Sequence, residues 1–220
     1  MSGIICLPYG EDDTATILDA IKWSRCAMFS ASNRLKSDKD MMLAAVIEYG
    51  HALQYGSLYI KDNEEVVQNA VACCGDALKH ASPRLRANKD IVTKAVRNNG
   101  RALLHSSAEL KADSDVVGVA VHNDGRALQF SCVEFKDDKK IVLSAVTNYG
   151  LALEHSSKQL KGDKEVVIAA IRQDVWALRY ASNELKADKE VILVAVAKNK
   201  HAIQYASDEL KADKEVMAFL

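Results

Sequence analysis

The sequence predicts an all-α protein, an α-solenoid of about eight 25-residue two-helix repeats, and three observations carry that prediction. Ala45-Val46 returns as Ala70-Val71, Ala95-Val96, Ala120-Val121, Ala145-Val146, Ala170-Ile171 and Ala195-Val196, each step being 70 − 45 = 25 residues without insertion. Ala52, Ala77, Ala102, Ala127, Ala152, Ala177 and Ala202 keep the same interval, as do Leu35, Ile60, Leu85, Leu110, Phe135, Leu160, Leu185 and Leu210. Within one unit, Met41, Met42, Ala45, Val46 and Tyr49 fall on one stripe of a 3.6-residue period rather than on the alternation of a strand. A single unit cannot bury such a stripe, so each must lean on its neighbours.

Each element of the unit follows from its residues. Asp38 is placed to cap the first helix by accepting from first-turn amides, and Asp40 puts negative charge at the positive end of the dipole. Asp163/Glu165, Asp188/Glu190 and Asp213/Glu215 repeat the device. Gly50, Gly75, Gly100, Gly125 and Gly150 are expected to stop the helix by taking a left-handed conformation. Helical periodicity on both sides argues against reading Asn99-Gly100 and Asp124-Gly125 as hairpin turns. A second, shorter helix should carry Ala52, Leu53 and Gly56, and a loop ending in Ile60-Lys61 should lead to the next cap. Val175, Lys200 and Arg25 stand where glycine is expected, so at Val175 either strain, a different turn or a longer helix is expected. The array runs over residues 11–210, preceded by a leader or cap at 1–10. Residues 211–220 read as a partial repeat or C-terminal cap, or as an open end for homo-oligomer formation.

The 220 residues hold 29 basic and 30 acidic side chains, a net charge of −1, with 49% hydrophobic and 27% charged residues. That balance permits a sizeable core and argues against a disordered tail or a strongly basic nucleic-acid binder. No apolar run approaches the roughly 18–20 residues of a membrane span. The opening residues, apolar only at Ile4, Ile5, Cys6 and Leu7, do not read as a secretory leader. Five cysteines (Cys6, Cys26, Cys73, Cys74 and Cys132) form no C-x-x-C pair and no even framework. A cytoplasmic, reducing location is expected, or delivery to a host cytosol without a cleaved leader.

The unit reads L-K-x-D-K-E-V-V-x-x-A-V-x-x-x-G-x-A-L-x-Y-A-S, nearly complete at 185–196 (LKADKEVILVAV) and 202–207 (AIQYAS). It resembles the repeat family catalogued as domain of unknown function 4116, over almost the whole chain. The resemblance implies repeated helices, such as occur in multi-repeat proteins of protists and host-associated bacteria. It implies no reaction, cofactor or catalytic residue, and by default an interaction scaffold.

The chemistry-bearing residues mostly have structural readings. An acidic pair opens nearly every unit, whereas catalysis needs one site, so capping accounts for the pairs. His80, His105 and His155 share a column with Tyr55, Phe130, Tyr180 and Tyr205, which points to an aromatic ladder between units rather than to metal ligands. Cys73 and Cys74 point in different directions, so one is expected to be buried and one partly exposed. With no histidine beside them in sequence, packing is the stronger reading over a reactive thiol. No phosphate-loop, dinucleotide, nucleophile-elbow or zinc-protease motif occurs.

Specificity is expected in the columns that the framework leaves free. One reads Lys22, Ile47, Ala72, Arg97, His122, Thr147, Arg172, Ala197; the other, just after the glycine, reads Cys26, His51, Asp76, Arg101, Arg126, Leu151, Trp176, His201. Arg97, Arg101, His122 and Arg126 are candidates for one basic patch for carboxylates or phosphates, which Asp124 is placed to offset in part. Arg172 and Trp176 form a second candidate contact, because they flank the irregular Val175. The expected function is a non-enzymatic scaffold for a protein or peptide partner, with no cofactor and no metal. The rivals are a nucleic-acid-binding helical repeat, disfavoured by the charge, and the repeat module of a larger effector-like protein.

Overall fold

The protein is described by a computed structural model that covers residues 10–23 and 27–219. Among these residues every regular element is a helix, and one isolated parallel bridge joins Glu11 to Ala31. The leader expected at 1–10, apart from Gly10, lies outside the described residues, as do Arg25, Cys26 and Leu220.

Eight long helices carry the 25-residue step: Thr14–Trp23, Lys39–Glu48, Glu64–Cys73, Lys89–Asn98, Ser114–Asn123, Lys139–Asn148, Lys164–Gln173 and Lys189–Lys198. They are numbered here as repeats 1 to 8. The expected caps are in place. Asp38 accepts from the Met41 amide, Asp163 from Val166, and Asp188 from Glu190 and Val191. Asn63 and Asn88 cap the third and fourth repeats in the same way. An uncapped first turn would leave amide donors unpaired, so the capping position keeps Asp or Asn throughout.

The unit holds three helices rather than the expected two. From repeat 2 onward the second is a 3-10 helix, as in Gly50–Tyr55, Gly125–Phe130 and Val175–Tyr180, whereas repeat 1 has the short α-helix Ala27–Ser30 there. The stretch expected as a loop contains a one-turn α-helix, as in Leu58–Lys61 and Lys158–Lys161, capped by Ser57 and Ser157. Three residues per turn brings Ala52 and Leu53 onto the buried side within six residues, and the tighter coil suits so short an element.

The glycines do not take the left-handed conformation. Gly10 alone has a positive φ among the described residues, and the residue before each repeat glycine is extended, as at Tyr49 (φ −150°, ψ 98°). Glycine is needed for close approach instead. A Cβ at Gly50, Gly75, Gly125 or Gly150 would stand 2.5, 2.4, 2.2 or 2.5 Å from the carbonyl oxygen of Ala70, Ala95, Ala145 or Ala170 in the next repeat. Val175 accordingly carries no left-handed strain; it opens its 3-10 helix and is buried.

Three bonded devices recur at the seams. Gly75, Gly125 and Gly150 donate their amides to the side chains of Asn98, Asn148 and Gln173 at 2.7, 2.8 and 2.6 Å. The capping serine's amide donates to a lysine carbonyl of the preceding repeat, as from Ser82 to Lys61 (2.8 Å) and Ser157 to Lys136 (2.8 Å). Lys139, Lys164 and Lys189 each reach the capping Asp and the following Glu of the next repeat, Lys164 at 2.8 Å from Asp188 and 2.7 Å from Glu190.

The chain divides into two compact units, Met1–Leu110 and Lys111–Leu220. Each is a helical-repeat solenoid with its own core. Met42, Leu53, Ile60, Leu78, Ile91 and Leu103 are fully buried in the first, and Val117, Leu128, Val142, Leu153, Val167 and Leu178 in the second. At roughly 1.5–3 kcal/mol per buried aliphatic side chain, these columns supply the main force that holds successive repeats together.

Candidate functional site

In the second unit the exposed face of the long helices carries a shallow groove. One depression of about 430 Å³ is lined by His122, Leu143, Ser144, Thr147 and Asn148. A second of about 370 Å³ is lined by Thr147, Ala169, Arg172 and Gln173. Thr147 belongs to both, so the two follow one another across the helices of repeats 5, 6 and 7. The lining comes from helix positions three and four apart, which share a face.

No carboxylate lines either depression. Asn148 and Gln173 are committed to the seam: Asn148 donates to the His122 carbonyl (3.0 Å) and accepts from Gly125, and Gln173 accepts from Gly150. His122, Ser144, Thr147 and Arg172 supply the remaining polar groups. The groove can accept an anionic or hydrogen-bonding chain lying across the helices, with Leu143 and Ala169 as its apolar floor.

The column after the glycine plays a different part, because it fits between two positions of the next repeat. His51 meets Cys74, with Nε2 3.3 Å from Sγ, and Asn99 donates to Asp76 at 3.0 Å. The Arg126 guanidinium lies 5.4 Å from the Tyr149 ring centroid, again 149 − 126 = 23 residues on. Its other neighbour is the ring column: His51 meets His80 and Trp176 meets Tyr205, edge to face at 6.1 and 6.2 Å. The expected ladder therefore links rings of two different columns rather than stacking one column on itself.

The sequence-derived candidates are placed as follows. Arg97 and Arg101 are exposed in the first unit, where Arg101 lines a depression of about 240 Å³ with Asp76, Lys79, Leu104 and His105. His122 and Arg126 are exposed in the second unit. Arg126 is paired with Asp124 at 3.0 Å, as its sequence neighbour suggested. Arg172 is exposed in the groove, and Trp176 is half-buried against Tyr205. Leu143, Ser144 and Thr147 were not singled out as site residues, although Thr147 stands in the free column of Arg97, His122 and Arg172.

Sequence reading also missed the Cys74–His51 pair. Cys73 is exposed and Cys74 half-buried, and the histidine absent from their sequence neighbourhood arrives from the preceding repeat. The 25-residue step minus two was the available signal. His80, beside His51, is pulled down to about 4 by burial, with nearby Lys79, His51, Lys61 and His105 adding to the effect.

A family model described as a domain of unknown function, DUF4116, matches residues 16–61, 63–111, 113–161, 138–186 and 188–217. Most matches span about two repeats, and the start at 138 falls 138 − 113 = 25 residues after the one at 113. No curated protein and no solved structure matches the chain.

Proposed function

The chain belongs to the DUF4116 family, and from that premise we propose that it is a helical-repeat scaffold that binds a protein partner without a reaction of its own. The groove over repeats 5 to 7 carries this reading, because His122, Ser144, Thr147 and Arg172, outside the repeat framework, line it while the buried columns beneath stay constant. A shallow surface assembled from successive repeats suits an extended peptide segment, with many small contacts and a few discriminating ones.

His122 and Arg172 are its contacts on either side of Thr147. Arg97 is the first unit's member of the same column; Arg101 in the first unit, and Arg126 and Trp176 in the second, lie outside the groove and are separate candidate contacts. The described cysteines Cys73, Cys74 and Cys132 are free thiols, which supports a reducing, cytoplasmic setting. No described helix is long and apolar enough to cross a membrane. The net charge of −1 disfavours a nucleic-acid partner.

The test is a photo-crosslinking residue placed at Thr147, with and without the double charge reversal His122→Glu and Arg172→Glu. The expected result is a protein adduct at position 147 that the reversal abolishes while circular dichroism stays unchanged. An adduct of undiminished yield in the folded double variant overturns the assignment. So does capture of RNA with a steep loss on raising salt.

A further inference from the structure

The seam between repeats 2 and 3 holds a nucleophile and a base that the binding groove does not use. Cys74 ends the long helix Glu64–Cys73 as its C-terminal cap, its amide donating to the Ala70 carbonyl at 2.9 Å. Its thiol stands 3.3 Å from His51 Nε2, within hydrogen-bond reach for sulfur. The His51 ring is held edge to face by Tyr49 at 5.5 Å and by His80 at 6.1 Å, so Nε2 is aimed rather than free to swing.

The geometry points to Cys74 as a peroxide-reactive thiol, with His51 as the base that takes its proton and hydroperoxides as the chemical class of oxidant. The Cys74 sulfur attacks one oxygen of the peroxide as the thiol proton passes to His51 Nε2. A sulfur–oxygen bond forms and the oxygen–oxygen bond breaks. The departing hydroxide or alkoxide recovers the proton from His51 and leaves as water or alcohol. The sulfur loses two electrons to become a sulfenic acid, and the peroxide gains them.

Two further features favour the pair. Cys74 is half-buried, which admits a molecule as small as hydrogen peroxide. His80, the ring packed edge to face on His51, is held near 4 by burial and is neutral at ordinary pH. Cys73 provides an internal control: it is the adjacent residue and is exposed. The new oxygen would also fall where repeats touch, since a Cβ on Gly50 would be only 3.0 Å from the Cys74 Cβ.

The experiment exposes the reduced 220-residue chain to hydrogen peroxide with a sulfenic-acid-trapping dione, followed by site-resolved mass spectrometry. Cys74 should be trapped about tenfold faster than Cys73 at neutral pH. His51→Gln should bring Cys74 down to the Cys73 rate and leave Cys73 unchanged. Equal rates at the two sites in the unaltered protein overturn the proposal, and that comparison needs no variant to fold. A folded His51→Gln protein that keeps the fast Cys74 rate overturns it as well.

Discussion

A glycine that opens a 3-10 helix in this chain is explained by what lies 20 residues ahead of it. At Gly125 the space for a Cβ is taken by the Ala145 carbonyl at 2.2 Å, whereas at Gly118 the nearest atom is Ile141 Cδ1 at 4.0 Å. Gly125→Ala should therefore cost about 1–3 kcal/mol through overpacking against backbone. Gly118→Ala, in the middle of a helix, should gain about 0.5–1 kcal/mol. Urea denaturation of the two variants reads both signs. His80 gives a second test. Burial lowers its value from 6.5 to about 4, so the folded chain keeps the ring neutral while the unfolded chain takes up a proton. Stability that is present above about 6.5 should decline as pH falls from there toward about 4. His80→Tyr, the residue of the same column at Tyr55, Tyr180 and Tyr205, should flatten that decline in denaturation midpoints measured at pH 7 and pH 5.

At the scale of elements, one residue often serves two repeats. Asp188 caps its own helix and receives Lys164 from the repeat before it. The hydrogen bond from Lys164 holds the Asp188 carboxyl below the usual carboxylate range, so its contribution is present at neutral pH and lost as pH falls through that lowered value. Lys164→Met should lower Tm by no more than a few degrees, and the difference should shrink in high salt, because the pair is partly exposed. The seam at Val175 is built differently. With a side chain where glycine stands elsewhere, the next repeat carries Lys198 in place of Asn or Gln, and its ammonium donates to the Ile171, Arg172 and Gln173 carbonyls. A long cation there satisfies the open carbonyl end of the helix, where positive charge is favoured. The irregular Val175 is thus matched by a change 23 residues on, and the half-buried Trp176 beside it packs on Tyr205.

At the scale of the whole molecule, nearest-neighbour packing sets the behaviour. Leu153 is fully buried in the second unit, and Leu153→Ala should cost about 2–5 kcal/mol. Amide exchange should quicken most in the repeats that hold Leu128 and Leu178 and least in the first unit; uniform acceleration along the chain would contradict a repeat-by-repeat stack. The helical class, the 25-residue step, the long helices and their caps were all legible from the residues, because helix periodicity and capping are local and were written eight times over. The exposed column of Arg97, His122, Thr147 and Arg172 was legible too, since a framework that repeats marks what it leaves out; the column after the glycine, read the same way, packs against the next repeat instead. Tertiary structure alone decided the rest. It set the 3-10 form of the second helix, the approach of Gly50, Gly75, Gly125 and Gly150 to carbonyls of the next repeat, and the meeting of Cys74 with His51. These depend on the offset at which one repeat settles on another. That offset comes from side-chain packing between helices, which no single repeat contains.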